Sequence, residues 1–331
     1  MRVAITGSSG VVGAAVLRHL LAAGHEVRAL ARSETSQVKV AAAGATVVRG
    51  DVLDREALER LIAGCDQVFH VAGINELCPA NRDLMWEVNV TGTGMMVEAC
   101  AAAGVGRLIH TSSAVTIGER RGEVGEETTA HRGWYLSEYE RSKHRAEQVA
   151  LGAPPGLEVV VVNPSSVQGP GRATGTGKIL LAAVRGRLPA VIDTNISIVD
   201  IDDCAQGHLL AAERGKPGER YLLHGATLGI REALSMVAAL TGRTERPWMM
   251  PSAVLSLLAW LVEPIYMVRG RRPPLCREAA RVLRHGHRYD GSKASRELGL
   301  EYRPVAETLS RTVAWFEEMG LVGGKSPTKS V

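Results

Sequence analysis

The sequence predicts an α/β protein built on a doubly wound parallel sheet, with a smaller C-terminal α/β lobe. Short β-branched runs alternate with longer Ala- and Leu-rich helical stretches through the first half of the chain. That alternation is typical of crossover units, in which a helix connects two parallel strands. The run Val159–Val162 is continuously apolar, as expected of a strand that helices cover on both faces. After Pro164 the pattern stops and a glycine-rich passage follows, which marks the start of the lobe.

The predicted elements follow one another along the chain. We expect strands at Arg2–Thr6, Glu26–Ala31, Ala45–Arg49, Asp66–Ala72, Arg107–Thr111 and Leu157–Val162. Helical patterns separate them, at Val12–Ala23, Ser36–Ala43, Arg55–Ala63, Val90–Ala103 and Ser137–Gly152. After Pro164 we expect short helices and strands at Lys178–Arg185, Leu209–Ala212, Arg220–His224 and Ile230–Leu240, followed by closing helices at Asp290–Leu298 and Pro304–Glu318. The segment from Pro247 to Pro274 has the least regular pattern. Residues 1–165 are assigned to the core, 166–320 mainly to the lobe with some segments returning to the core, and 321–331 to a flexible tail.

The first predicted strand runs directly into the string TGSSGVVG at residues 6–13. Gly7 permits a tight turn, Gly10 allows the backbone to approach a ligand, and Gly13 allows the helix to pack closely on the strand. The free N–H groups and the dipole of the following helix attract an anion. Because the glycines lie between a buried strand and a helix, they predict a Rossmann-type dinucleotide-binding core in residues 1–165. The same turn adds three predicted cofactor contacts, Ser9, Val11 and Val12.

Further cofactor contacts are predicted where later strands end. Asp51 follows the third strand and is placed to face the adenine. At the end of the second strand an NAD-specific protein usually presents a carboxylate, whereas this chain has Arg32, whose guanidinium can grip a 2′-phosphate. The sequence therefore favours NADP(H), with NAD(H) as the alternative. The remaining predicted cofactor contacts are Val52, Val71, Ala72, Gly73, Thr111, Tyr139, Lys143, Pro164 and Ser166.

A tyrosine and a lysine, Tyr139 and Lys143, lie four residues apart in a predicted helix. This spacing puts both side chains on one helix face. A neighbouring ammonium favours the phenolate, so Lys143 is expected to draw the pKa of Tyr139 down towards the pH at which proton transfer is most useful. The fifth strand ends in Thr111-Ser112-Ser113, and one of these hydroxyls can hydrogen-bond a substrate carbonyl oxygen. Together the three features predict acid–base chemistry at the sheet's carboxyl edge.

Composition argues against several other classes of protein. Aromatic residues make up 4% of the chain and the basic residues are scattered, so nucleic-acid binding is not expected. The five cysteines are far apart and form no CxxC pair, which predicts a reducing, cytoplasmic setting with neither a disulfide nor a metal site. The longest apolar run, Ala253–Val262, is too short to span a membrane. Residues 253–272 join this run to the string RGRR; a buried helix of the lobe is the favoured interpretation, and weak contact with a membrane surface is the alternative.

Four strings, TGSSGVVG, IHTSSAVTIG, YERSK and NPSSVQGPG, resemble the extended short-chain dehydrogenase/reductase family. ERYLLHG and the segment that begins YDGSKASRELGLEYRP resemble its dihydroflavonol-reductase-like branch, within the epimerase/dehydratase group. The resemblance implies a Rossmann domain with a C-terminal substrate lobe. It also implies a catalytic triad of Ser113, Tyr139 and Lys143, with Asn89 as a supporting polar residue.

These features predict an NAD(P)-dependent oxidoreductase, a ketone or aldehyde reductase or an alcohol dehydrogenase, acting on a small lipophilic substrate. The alternatives are an NAD-dependent sugar epimerase, a 3β-hydroxysteroid-dehydrogenase-like activity and a non-catalytic dinucleotide-sensing protein. Sugar-nucleotide dehydratases of the family carry an Asp-Glu pair after the strand-five hydroxyl; Ala114-Val115 stands here, so water elimination is not expected. The resemblance further implies a homodimer formed by the helices Val90–Ala103 and Ser137–Gly152, with a monomer as the alternative.

Overall fold

The computed structural model describes residues 1–243, 247–269 and 273–322. Its strands, in chain order, are β1 (Arg2–Thr6), β2 (Glu26–Ala31), β3 (Thr46–Arg49), β4 (Gln67–His70), β5 (Arg107–Thr111), β6 (Glu158–Pro164), β7 (Ser166–Gln168), β8 (Ala190–Val191), β9 (Asn195–Asp200), β10 (Arg220–Leu223), β11 (Ala226–Gly229) and β12 (Trp248–Met249). Seven of them form one parallel sheet in the order β10-β6-β5-β4-β1-β2-β3. The strand order reverses between β1 and β4, and in such sheets ligands bind at the carboxyl ends beside this reversal.

The α-helices are α1 (Val11–Ala22), α2 (Glu34–Ala42), α3 (Arg55–Ile62), α4 (Arg82–Trp86), α5 (Gly92–Ala103), α6 (Glu138–Leu151), α7 (Gly177–Val184), α8 (Ile201–Arg214), α9 (Ile230–Thr241), α10 (Ser252–Val268), α11 (Arg277–His285) and α12 (Val305–Glu318). Helices α1 and α8 cover one face of the large sheet, and α3, α5 and α6 cover the other. The predicted doubly wound α/β fold is thereby confirmed. Each face buries a continuous apolar cluster, which explains why the strands are apolar on both sides.

Most predicted strands and helices of the first half are found within one or two residues of their expected ends. The fourth strand is shorter than expected, because the chain leaves the sheet after His70 and the N–H of Ala72 donates to the Thr6 hydroxyl at 3.1 Å. The helix expected from Val90 begins at Gly92, after a π-helical turn over Glu87–Thr91.

The lobe contains the three-stranded sheet β11-β9-β7, the pair β12-β8 and the helices α7 and α9 to α12. Strand β10 lies beyond residue 166 in sequence but pairs with β6 in the large sheet. Leu321 and Val322 pack against an apolar cluster of the lobe, and residues 323–331 of the predicted tail lie outside the described residues. None of the described helices combines the length and the apolar character that a membrane crossing requires.

The segment Pro247 to Pro274 has the least regular pattern in sequence, yet it contains the 17-residue helix α10, which the favoured interpretation of residues 253–272 expects and which continues through Pro264. The expectation for the cysteines is wrong. Cys78 and Cys276, expected to be free thiols, form a disulfide across 198 residues of sequence. Their spacing in the sequence could not show this, because only the folded lobe brings the start of α11 against the loop that follows β4.

Candidate active site

The glycine-rich turn after β1 forms a cradle without room for side chains. Gly7 has a φ of +73°, and a Cβ there would lie 2.6 Å from the backbone nitrogen of Ala72. A Cβ on Gly13 would lie 2.2 Å from the carbonyl oxygen of Gly7, so α1 packs directly on the turn. Among the described residues, no side chain caps the first N–H groups of α1, which begins after Gly10. These residues fit the pyrophosphate of a dinucleotide, since a helix N-terminus binds anions through such free N–H groups.

The two residues predicted for the adenine end of the cofactor pair with each other. Arg32 follows β2, and its Nη1 donates to Oδ2 of Asp51 at 3.0 Å. The other carboxylate oxygen of Asp51 accepts from the N–H of Leu53 at 3.1 Å. The guanidinium is largely exposed, so it can turn towards a ligand. Val52, by contrast, is buried and packs against Gly92.

Asn89 joins the end of β4 to the helix that carries the tyrosine. Its Oδ1 accepts from the N–H of Ile74 at 2.7 Å, and its Nδ2 donates to the carbonyl oxygen of Ile74 at 3.0 Å and to Oγ of Ser142 at 2.9 Å. A Cβ on Gly73 would lie 3.1 Å from Oδ1 of Asn89 and 3.7 Å from Nζ of Lys143. Of the predicted cofactor contacts after β4, Gly73 therefore lies beside the lysine, while Val71 and Ala72 lie against Gly7.

The structure brings Ser113, Tyr139 and Lys143 together at the carboxyl edge of the sheet. Helix α6 begins after Ser137, whose hydroxyl accepts from the N–H of Glu140 at 3.2 Å. Tyr139 and Lys143 follow one turn apart, and both are buried. Nζ of Lys143 donates to the carbonyl oxygen of Thr111 at 2.7 Å, and the Ser113 side chain lies close enough to the Tyr139 hydroxyl to lower the pKa of the phenol.

The effect of Lys143 on Tyr139 differs from the expectation. Burial raises the pKa of Tyr139, while the nearby Ser113 side chain and the charge of Arg172 act in the opposite direction. Burial also lowers the pKa of Lys143 to about 8. The expected lowering of the Tyr139 pKa is therefore wrong for this structure, because burial of the phenol outweighs its polar neighbours. The cation that acts on the phenol is Arg172.

Arg172 is a functional candidate that the sequence analysis missed. It lies in the loop between β7 and α7, half-buried, and burial lowers the pKa of its guanidinium while the Tyr139 charge raises it. Its Nε is buried and, among the described residues, has no hydrogen-bond partner. No sequence pattern marks an arginine in this loop, because its position beside Tyr139 depends on how the lobe folds back.

A buried polar network beneath Ser113 was also missed. Nδ2 of Asn163 donates to the carbonyl oxygen of Ser113 at 3.3 Å and to Oε2 of Glu147 at 2.7 Å. The Thr116 hydroxyl donates to the same two groups, each at 2.8 Å. Nη1 of Arg220 donates to the second carboxylate oxygen of Glu147 at 2.8 Å, so the negative charge is paired. The network ties β6, β10 and α6 to the backbone of Ser113 and fixes where its hydroxyl points.

Three further predicted residues lie around this edge. Thr111 contributes its carbonyl oxygen to Lys143, while its hydroxyl hydrogen-bonds Nε2 of His208 at 2.9 Å. Pro164 ends β6 and Ser166 begins β7, with the Ser166 hydroxyl donating to that of Thr176 at 2.9 Å. Within the glycine turn, Ser9 is exposed and Val11 and Val12 are half-buried.

Glu119, His285 and His287 form a buried cluster whose composition could hold a divalent metal. Oε1 of Glu119 lies 3.1 Å from Nε2 of His285 and 2.6 Å from Nδ1 of His287. Both distances suit direct hydrogen bonds. Metal ligands usually have outer partners, whereas Oε2 of Glu119 and Nε2 of His287 lack one among the described residues. We interpret the cluster as a tie between the lobe and the core, and the absence of a metal stays a prediction.

Comparisons with known proteins agree with this geometry. A family model described as NAD dependent epimerase/dehydratase family matches residues 3–223. A Synechocystis protein whose name refers to dihydroflavonol 4-reductase is 33% identical over 329 residues, covering 96% of this chain and 95% of that protein. Sterol demethylase protein B of Methylococcus capsulatus is 31% identical over 333 residues, covering 97% and 100%. The crystal structure of gox2253 superimposes with a TM-score of 0.84 at 32% identity, covering 97% of this chain and 99% of that one. The chain therefore belongs to the NAD-dependent epimerase/dehydratase family and is an NAD(P)-dependent oxidoreductase of the extended short-chain dehydrogenase/reductase type.

Proposed function

We propose that this protein interconverts a ketone or aldehyde with the corresponding alcohol, acting on a small lipophilic substrate. The observation that carries the proposal is the convergence of Ser113, Tyr139 and Lys143 beside Gly73 and the glycine cradle. A bound nicotinamide dinucleotide supplies the hydride in the reduction and accepts it in the oxidation. A similar protein named for sterol demethylation supports the lipophilic class of substrate.

Each side chain of this triad has a distinct role in the proposal. The Tyr139 hydroxyl gives a proton to the carbonyl oxygen during reduction and takes it back during oxidation. Ser113 donates a hydrogen bond that holds this oxygen next to the phenol. Lys143 is anchored to the carbonyl oxygen of Thr111 and holds a positive charge beside the place where the oxygen reacts. Because Tyr139 is buried, its proton is delivered away from bulk water.

The test is a screen of carbonyl compounds for loss of NADPH absorbance, followed by Tyr139→Phe. Loss of a general acid lowers turnover by about 10²–10⁴-fold, and we expect the dissociation constant for NADPH to change little. Tyr135→Phe is the matched control, because Tyr135 lies four residues earlier and its hydroxyl bonds His144 at 3.0 Å. Retained turnover in Tyr139→Phe, or an equal loss in Tyr135→Phe, contradicts the role of Tyr139.

We propose further that NADPH binds more tightly than NADH, with Arg32 on the 2′-phosphate. Because the guanidinium pairs with Asp51, binding the 2′-phosphate requires it either to leave that carboxylate or to contact both groups at once. Arg32→Ala should remove the preference, whereas Asp51→Asn should strengthen NADPH binding by removing a competing charge. Arg28→Ala is the control, since Arg28 lies on the same strand but donates to the carbonyl oxygen of Ala63 at 2.9 Å. Equal affinities for the two dinucleotides in the unchanged protein contradict the proposal.

A sugar epimerase is the second candidate, favoured by the description of the family that matches. An epimerase retains one oxidised dinucleotide through each turnover, whereas a reductase consumes a dinucleotide for every product. A 3β-hydroxysteroid-dehydrogenase-like enzyme is a special case of the first proposal, with a sterol alcohol as substrate, and a dinucleotide sensor would bind NADPH without turnover. These functions are separated by measuring, in one reaction, how much product forms and how much dinucleotide is consumed. Dimerisation through α5 and α6 and a cytoplasmic location stay predictions.

A further inference from the structure

Helix α10 carries an apolar surface that the described part of the chain does not cover. Leu255 and Ala259 face inward and pack against the lobe. On the opposite side, Leu257 is 57%, Trp260 60% and Val268 89% exposed. The same side includes four more exposed large side chains, Leu258, Leu261, Ile265 and Met267. The favoured expectation of a buried helix is therefore wrong for this face, and an exposed apolar patch of this kind marks an interaction site.

Positively charged side chains lie along one side of this face. Helix α11 packs against α10 and presents Arg277, Arg281 and Arg284 at helical spacing on its exposed side. Nη1 of Arg284 donates to Oγ of Ser256 on α10 at 3.1 Å, so the two helices share one surface. Between residues 252 and 288 the sequence has seven arginines and two glutamates, a net charge of +5, whereas the whole chain carries +4. The rest of the sequence is therefore close to neutral in net charge, although its basic residues are scattered.

We propose that α10 and α11 form a docking surface for an anionic membrane interface. The apolar face of α10, about 25 Å long by helix geometry, lies among the acyl chains while the arginines contact headgroups. Glu263, which is the one charged side chain on α10, faces inward and accepts from Nε of Arg277 at 2.9 Å, so no charge opposes insertion. A second copy of this chain is a poorer occupant, because a symmetric contact would bring the exposed arginines of one α11 against those of the other.

The docking surface lies next to the candidate active site. Cys276, immediately before α11, is bonded to Cys78 in the loop that follows β4. In the first turn of α11, Glu278 pairs with Arg82 at 3.3 Å and interacts with Glu138, which precedes Tyr139. A lipophilic substrate held at the bilayer would therefore be close to the triad. This last step rests on the proposed function, whereas the docking does not.

The test is sedimentation with phosphatidylcholine vesicles, with and without phosphatidylglycerol, at low salt. We expect binding to the anionic vesicles, weakening as salt rises. Leu257→Glu combined with Trp260→Glu should lower the bound fraction at least tenfold. Val38→Glu, at an equally exposed apolar residue on α2, should not change it. Arg269→Gln combined with Arg281→Gln should weaken binding about fivefold for each arginine, and it tests the proposal even if the double glutamate variant does not fold.

Three results would overturn the proposal. One is that the unchanged protein stays in the supernatant with anionic vesicles. Another is that both double variants, the one in the arginines and the one in the apolar residues, bind vesicles as well as the unchanged protein. The third is that light scattering shows the Leu257/Trp260 face to be an interface between copies, with no vesicle binding. Tyr139→Phe should bind vesicles normally, so failure of docking and failure of the proposed chemistry are told apart.

Discussion

Replacing Asn89 should destabilise the fold by an amount that its contacts allow us to estimate. The side chain is 1% exposed and pairs with both backbone groups of Ile74 and with the hydroxyl of Ser142. Ser142 keeps another bond, since its hydroxyl donates to the carbonyl oxygen of Tyr139 at 2.9 Å. Asn89→Leu therefore leaves two backbone groups unpaired. Each costs about 1–3 kcal/mol, so the free energy of unfolding should fall by about 2–6 kcal/mol.

Urea unfolding followed by tryptophan fluorescence measures this change. Ser142→Ala is the matched control, because it removes one of the bonds to Asn89 and leaves both groups of Ile74 paired. It should cost about 1 kcal/mol. We also expect Asn89→Leu to weaken NADPH binding, since Gly73 lies against the amide. If Asn89→Leu costs no more than Ser142→Ala, Asn89 does not hold the loop after β4 as described here.

Three other perturbations test the site. Arg172→Ala should move the alkaline fall in the reduction rate to higher pH, because loss of this cation raises the pKa of Tyr139, and Arg172→Lys should restore it; an unmoved pH profile of kcat/KM contradicts the contact. Lys143→Met should abolish turnover but raise the free energy of unfolding at pH 7. Burial lowers the pKa of the Lys143 ammonium from the ordinary 10.5 to about 8, so keeping it charged in the folded state costs about 3 kcal/mol. Because the folded state binds fewer protons in that range, the advantage of Lys143→Met should shrink between pH 8 and 10.5, and a constant difference refutes it. Cys78→Ser, or dithiothreitol, should lower the free energy of unfolding by about 2–4 kcal/mol; unchanged urea midpoints would exclude the bond to Cys276.

Some residues of the candidate site can be predicted from the local sequence pattern, and others cannot. The glycine turn was predictable because Gly7, Gly10 and Gly13 lie within a few residues, where one strand-to-helix turn requires residues without a side chain. Tyr139 and Lys143 were predictable because four residues make about one turn of helix. Arg172 and Asn163 left no such signal, since each reaches the triad across a large separation in sequence.

The sequence by itself determined the order of strands and helices in the first half, the glycine cradle and the tyrosine–lysine pair, because these depend on side-chain periodicity and steric size within a few residues. The tertiary structure alone decided four things: the partner of Arg32, the Cys78–Cys276 bond, the direction in which the pKa of Tyr139 moves, and the open side of α10. These depend on burial and on contacts between distant segments. Neither exists until the chain has folded and brought these segments together.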